Sequence, residues 1–401
     1  MSGTGHQRDG TGFLPPPCSR ATYVYIRKHG GARLGDVGEV ARSSIIKKLQ
    51  LARAWAWRNP VWCAWQVNYR CNFRCSFCHY WHDKLGDAPE LPVEAFREGS
   101  RKLSQLGCLL VSLAGGEPLI RPDIVQIVEA LAEWHFPFIT TNGWFATESL
   151  AEDLFAAGLW GVSVSIDYAD AERHDRRRGT PGAFARALRA IEAFSRARVH
   201  KFQRVNWMAV LMDDNLDQIE PMLRMAAERD AYFMLQPYGV RKTGSRRFIC
   251  GAQGRVADYL LGLRRKYPNF LSNPYFLSKF DAALNGGVPG CKAGRGFFNI
   301  DSTGEIAVCV EERERPVANL FSHPAGEIVR RLRARDMSQR CKACWYNCRG
   351  EVEALYRPDG LLLSLPTLLF DRGRPPLGNS GANGQAGGVS GVQSCRPKVS
   401  S

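Results

Sequence analysis

The sequence predicts an α/β fold built from parallel strand–helix–strand units, and two observations carry that reading. Short apolar runs alternate with longer amphipathic ones from residue 62 to about residue 240, the lengths of a strand and a crossover helix. The chain has 401 residues, 45% of them hydrophobic, which suffices for a large core in one or two domains. Right-handed crossovers leave a closed barrel, a partial barrel or a doubly wound sheet open to such a chain.

Strands are expected at residues 64–67, 109–113, 138–141, 161–166, 205–211 and 233–236. Helical periodicity lies between them at 93–106, 122–134, 148–157, 184–194 and 216–229. The core therefore spans residues 61–245. Residues 1–36 and 371–401 are rich in Gly, Ser and Pro and are expected to be largely disordered. Residues 37–60 form a basic amphipathic helix in this reading. Ile45, Ile46 and Leu49 are apolar, Arg42, Lys47, Lys48, Arg53 and Arg58 are cationic, and Pro60 ends it. Such a helix packs on the body of the protein or lies on a membrane surface with Trp55 and Trp57 at the interface. Residues 246–370 form a C-terminal extension with its own cysteines.

Lys and Arg number 54 and Asp and Glu 39, so the net charge is 54 − 39 = +15. That excess suits an anionic partner without choosing one. There are 13 Cys, an odd count with no secretory apolar run ahead of it, so reduced thiols in a cytoplasmic setting are expected. The apolar segment 361–370 is too short to span a membrane and contains Pro366.

Cys71-Asn-Phe-Arg-Cys75-Ser-Phe-Cys78 follows the first expected strand. Thiolates suit iron–sulfur clusters or zinc. A structural zinc would need a fourth ligand, for which His79 and His82 are the neighbours. The Cys-x3-Cys-x2-Cys spacing, with Phe77 before the last Cys, resembles the signature of the radical S-adenosylmethionine superfamily. That resemblance implies a partial (β/α)6 TIM-like barrel and a 4Fe-4S cluster on the three thiolates. It also implies a free iron that chelates S-adenosylmethionine and yields a 5′-deoxyadenosyl radical on reduction. The substrate then loses a hydrogen atom. No residue is singled out as a catalytic acid or base.

Further motifs sit at the C-terminal ends of later strands, where parallel α/β barrels gather their sites. Gly115, Gly116 and Glu117 resemble the family's loop for the amino group of the cofactor. Asn142 follows the third strand and lies where the family places a polar residue near the cofactor. Ser165 and Asp167, two apart and on one face, resemble the ribose-contacting position. Arg176, Arg177 and Arg178 form a charge run from which one arginine could meet the cofactor carboxylate.

The extension carries Cys291, Cys309, Cys341, Cys344 and Cys348. A hairpin with its turn at 301–304 would bring Cys291 and Cys309 together, and a Cys-x2-Cys pair completes four thiolates for zinc or a second cluster. The Gly304-x4-Cys309 spacing resembles the SPASM or twitch auxiliary-cluster extension. That implies one auxiliary 4Fe-4S cluster on Cys291, Cys309, Cys341 and Cys344, with Cys348 as the alternative fourth ligand. Cys18, Cys63, Cys108, Cys250 and Cys395 are expected as buried thiols or tail residues.

The resemblance further implies a reductase such as a flavodoxin or ferredoxin as partner. A peptide or a lipid-like molecule is the expected substrate. The protein is expected in the cytoplasm, with peripheral contact at the inner membrane face where the basic helix lies. The rival reading is a non-catalytic zinc- or iron–sulfur-binding protein that meets a nucleic acid or a redox partner; no aromatic–basic motif favours nucleic acid.

Overall fold

The computed structural model describes residues 47–358 and 362, apart from 48, 50, 51, 55, 201, 252 and 253. Strands β1 (Trp62–Asn68), β2 (Leu110–Gly115), β3 (Phe136–Thr141), β4 (Gly161–Ser165), β5 (Arg204–Leu211) and β6 (Tyr232–Pro237) pair in parallel, each with the next. The crossover helices are α1 (Val93–Leu106), α2 (Ile124–Ala132), α3 (Glu148–Ala156), α4 (Ala171–Arg178), α5 (Ala183–Ala197) and α6 (Ile219–Ala227). In the sheet β1 and β6 lie five places apart and do not meet, so the architecture is a partial TIM-like barrel.

Alternation along the strands decides which face meets the helices. Trp65, Val111, Leu113, Ile139, Val162, Val164, Trp207 and Leu235 point outward and are fully buried in one core with the helices. Each such side chain contributes about 1.5–3 kcal/mol through burial. Their neighbours Ala64, Ala114, Thr140, Ser165, Met208 and Gln236 point inward and are only half-buried. A half-buried position on the concave side of a curled sheet lines open space.

All six expected strands form, and each is extended by a residue or two at one or both ends, save the fourth, which stops at Ser165. The helix α4 is a departure: its arginines read as a charge run in the sequence. Asp170 caps it by accepting from the Arg173 amide, and Gly179 closes it with φ +66°. The three arginines occupy its last turn, where the helix dipole favours cations.

The C-terminal extension is less separate than its composition implies. Strand β7 (Phe297–Ile300) pairs in parallel with β1, and β8 (Glu305–Ala307) and β9 (Ala318–Asn319) continue the same sheet antiparallel. The hairpin turns at 301–304 as expected, with Asp301 accepting from the Thr303 and Glu305 amides.

Of the basic helix, residues 47, 49, 52–54 and 56 are helical, and residues 37–46 and Trp55 lie outside the described residues. Ala54 is buried and Lys47 donates to the Ala132 carbonyl, while Leu49 and Trp57 are 65% and 60% exposed. The segment 361–370, Leu362 apart, also lies outside the described residues. Among the described residues no helix is long and apolar enough to cross a membrane. Cys63 and Cys108 are buried free thiols. Cys250 is buried and disulfide-bonded, so the expected reduced thiol is not found there. Cys18 and Cys395 lie outside the described residues.

Candidate active site

The Cys71–Cys78 loop leaves the C-terminal end of β1 and is clamped on two sides. On one side, the Gly116 amide donates to Asn68 O at 3.1 Å and the Glu117 amide to Arg70 O at 2.8 Å. These contacts explain the two glycines. A Cβ at Gly115, where φ is +136°, would meet the Asn68 carbonyl oxygen, and one at Gly116 would meet that of Arg70. The close approach is to the chain's own cysteine loop; both glycines stay half-buried at the rim. On the other side, the Ser76 amide donates to Arg177 O at 3.1 Å, at the end of α4.

Glu117 is buried and fully engaged. Its carboxylate accepts from the Leu119 amide at 3.0 Å, the Thr141 hydroxyl at 2.7 Å and the Asn142 amide at 2.7 Å. Burial raises its pKa and those hydrogen bonds oppose the rise. The Asn142 side chain donates to Asn72 Oδ1 at 2.9 Å and accepts from the Trp144 amide. Asn72 belongs to the cysteine loop, so β2, β3 and the loop share one network. Nothing in the sequence pattern marked Asn72.

Asp167 is likewise engaged. One oxygen takes Arg178 Nε at 2.9 Å and Nη2 at 2.6 Å, and the other takes the Val210 amide at 2.9 Å. The Arg178 guanidinium lies 5.4 Å from the centre of the Phe77 ring. Burial works against its charge, and Asp167 and Cys75 more than offset that. Phe77 packs with Phe73, Tyr168 and Phe248 beneath the loop. Ser165 is half-buried at the end of β4. The structure thus brings Gly115, Gly116, Asn142 and Ser165 to one sheet edge with the cysteines, while Glu117 and Asp167 act on their neighbours.

Burial pushes the Cys71 thiol up to about 11, against the Phe73 amide that donates to its sulfur at 3.4 Å. It pushes the Cys75 thiol up to about 12, with Arg178 the main opposing influence. Neutral thiols in a dry pocket beside a fixed cation become good ligands once a metal centre takes their protons.

The five cysteines of the extension line one cavity, with Arg241, Glu311, Met337 and Tyr346 among its other walls. Cys291 and Cys341 are hydrogen-bonded through sulfur; that bond lowers the Cys341 pKa and raises that of Cys291. Burial raises Cys309 to about 12 and Cys344 to about 11. The buried Arg349 donates to Cys344 O at 2.9 Å, Val288 O at 2.7 Å and Glu353 Oε1 at 2.9 Å. Sequence reasoning also missed Lys242. Its ammonium lies 4.6 Å from the Tyr80 ring, 5.3 Å from the Tyr346 ring and 3.6 Å from Glu311 Oε1. It therefore stands between the two cysteine groups.

Both donor sets are thiols with cations close by, which fits clusters of negative net charge. Among the described residues no three His, Cys, Asp or Glu side chains converge as the ligands of one metal ion would. Cluster ligands each bind a separate iron, so that convergence is not required of them.

Residues 65–226 match the model of the radical SAM superfamily. The chain is 28% identical over 333 residues to the AdoMet-dependent heme synthase of Methanosarcina barkeri, covering 75% of this chain and 93% of that one. It is 27% identical over 331 residues to the mycofactocin maturase MftC of Mycolicibacterium smegmatis, covering 77% and 81%. Streptococcus suis SuiB bound to its precursor peptide SuiA superposes with a TM-score of 0.57 at 18% identity, covering 78% and 77%. That likeness shows the same fold. The reading as a non-catalytic metal-binding module is set aside by these matches. The chain belongs to the radical S-adenosylmethionine superfamily, as an enzyme related to its SPASM-domain members, and its chemistry uses a 4Fe-4S cluster and S-adenosylmethionine.

Proposed function

We propose that Cys71, Cys75 and Cys78 hold the catalytic 4Fe-4S cluster and that the enzyme abstracts hydrogen from a peptide or lipid-like substrate. The observation that carries the assignment is the clamped loop. Three thiols are pinned at a sheet edge by the Gly115–Glu117 turn, by Asn142 through Asn72, and by the end of α4. When bound, the cluster supplies the electron that cleaves S-adenosylmethionine to methionine and a 5′-deoxyadenosyl radical, which takes hydrogen from the substrate.

The protein's part is placement and shielding. The half-buried Gly115–Gly116 backbone would hold the amino group of the cofactor, and the half-buried Ser165 would hold its ribose. Asn142 holds the cysteine loop in register with β3. Glu117 keeps the β2 turn rigid by its three hydrogen bonds, and Asp167 acts through Arg178, whose charge stands beside Cys75. Phe77 wedges the loop against the core.

Four of Cys291, Cys309, Cys341, Cys344 and Cys348 hold one auxiliary cluster in this reading. Such a cluster would supply a binding point for substrate or an acceptor for one electron. A flavodoxin or ferredoxin supplies the reducing electron. The peptide class is supported by the relatives named maturase and by a fold neighbour bound to a precursor peptide. The exposed Leu49 and Trp57 support peripheral membrane contact; liposome flotation that leaves the protein unbound would remove that part.

Anaerobic reconstitution with iron and sulfide, followed by reduction with S-adenosylmethionine, tests the whole. About eight irons per chain, two clusters' worth, and release of 5′-deoxyadenosine are expected. Zinc in place of iron, or iron-loaded protein that releases no 5′-deoxyadenosine, would sink the proposal.

A further inference from the structure

One cation is shared by the surroundings of both cysteine groups. Lys242 ends the short turn Val240–Lys242 that follows β6. The turn is tied down by the Lys242 amide, which donates to Gly239 O at 2.9 Å, and the Gly244 amide, which donates to Val240 O at 2.7 Å. Gly239 lets a neighbour in, for a Cβ there would meet the Tyr346 hydroxyl. The Lys242 ammonium then lies over the Tyr80 ring at 4.6 Å and the Tyr346 ring at 5.3 Å, with Glu311 Oε1 at 3.6 Å. Tyr80 is two residues past Cys78, Tyr346 two before Cys348 and Glu311 two past Cys309. Each of these three contacts therefore stands beside a cysteine, one of the first group and two of the second.

The arginines nearby are taken up more tightly. Arg178 meets Asp167 at 2.6 Å, Arg349 meets Glu353 at 2.9 Å and Arg241 meets Glu312 at 2.9 Å. Arg313 also faces the Tyr80 ring, at 5.4 Å, and Asp83 holds it at 2.9 Å. Glu311 is a weaker match for Lys242, since its Oε1 already accepts from the Tyr346 hydroxyl at 2.9 Å. The Lys242 side chain is 24% exposed, so water screens its charge only in part. Burial works against that charge, and Tyr80, Glu311 and Cys78 more than offset it. Its field also reaches Cys348, where it opposes the rise that burial causes.

We propose that Lys242 is a positioning residue whose single charge raises the reduction potentials of both clusters together. A thiolate-held cluster gains negative charge when it takes an electron, and a fixed cation within Coulomb reach favours that reduced form. An ammonium placed between two such centres favours reduction of each. A purely structural lysine would only hold the Tyr80 and Tyr346 rings in place. Its loss would change stability and leave the potentials alone. The proposal rests on the two-cluster reading and adds the residue that sets the two potentials in common.

The test is a potentiometric titration of reconstituted full-length protein, followed by electron paramagnetic resonance. A Cys309→Ala background isolates the first cluster and a Cys75→Ala background the auxiliary one. In each, Lys242→Met should disfavour reduction about tenfold, a drop of about 59 mV for one electron. Lys242→Arg keeps the charge and should restore both midpoints. Midpoints that stay put in either background overturn the proposal, because the charge is then not shared. So does a Lys242→Arg variant shifted as far as Lys242→Met, which would assign the effect to side-chain packing. Should Lys242→Met not take up iron, Lys242→Gln is titrated by the same criterion. Iron is counted first in the wild-type chain. One cluster's worth would overturn the two-cluster reading and this proposal with it, whereas two clusters with unmoved midpoints overturn this proposal alone.

Discussion

The two cysteine groups of this protein are built in opposite ways. The first comes from one short loop at a sheet edge, held by backbone hydrogen bonds to its neighbours. The second is assembled from three separate stretches around Cys291, Cys309 and Cys341–Cys348, which line a common cavity only once the chain has folded. Each has a cation paired with an acid, from different elements. Arg178 stands beside the first group, and the acid that balances it, Asp167, faces the arginine. Arg349 and Arg241 stand by the second group, but Glu311 lines its cavity and Glu312 pairs with Arg241 at 2.9 Å. The first site is thus preorganised by its own loop, with one arginine held by one aspartate. The second depends on tertiary packing, and its cations Arg241, Arg349 and Lys242 each face a glutamate.

Removing one ligand from each group gives the largest effect and separates their roles. Cys75→Ala should abolish 5′-deoxyadenosine formation and cut iron per chain to about half, one cluster of two. Cys309→Ala should also halve the iron but leave cleavage of S-adenosylmethionine in place. Iron analysis and product chromatography on both variants check this. Equal loss of cleavage in the two would erase the distinction drawn between them.

Arg178 is the next lever. Arg178→Met strands the fully buried Asp167 carboxylate without its partner. Loss of one member of a buried pair costs about 3–5 kcal/mol, so the denaturant midpoint should fall sharply. A substitution within the second group's shell, Arg241→Met, touches a residue whose side chain is 36% exposed. It should cost about 1 kcal/mol or less. Comparable losses in the two variants would show the sites to be alike in their dependence on a cation.

This asymmetry also explains what could be read from the chain. The strands, the helices around them and the first cysteine loop are local features, set by residue periodicity and spacing, and the structure places them within a few residues of expectation. The hairpin at Asp301 was legible for the same reason. The entry of β7 beside β1 was not, because nothing in Phe297–Ile300 names its partner strand. Arg178 looked like any surface arginine until Asp170 and Gly179 turned its segment into a helix aimed at Asp167. Lys242 meets Tyr80, Tyr346 and Glu311, three residues from distant segments, and no single segment encodes that meeting. Glu117 and Asp167 were found by motif, yet their oxygens are occupied by neighbours; motif spacing records that a carboxylate is needed without saying what it holds.

The smallest expected effect concerns the fourth auxiliary ligand, and it sharpens the account of the second group. Five thiols line the cavity and one cluster takes four. Burial raises the pKa of both Cys344 and Cys348. At Cys344 the next influence is the Arg349 cation, which lowers it, and Arg349 also grips the Cys344 carbonyl. At Cys348 the next influences are Cys344 and Cys309, which raise it further. Cys344 therefore gives up its proton more readily and is held more firmly. Cys344→Ser should lose the auxiliary irons, whereas Cys348→Ser should keep them, with at most a small change in the low-temperature electron paramagnetic resonance line shape. The reverse outcome would move the ligand onto the helix Asn347–Leu355, one residue from Asn347, whose side chain reaches Met208 of β5.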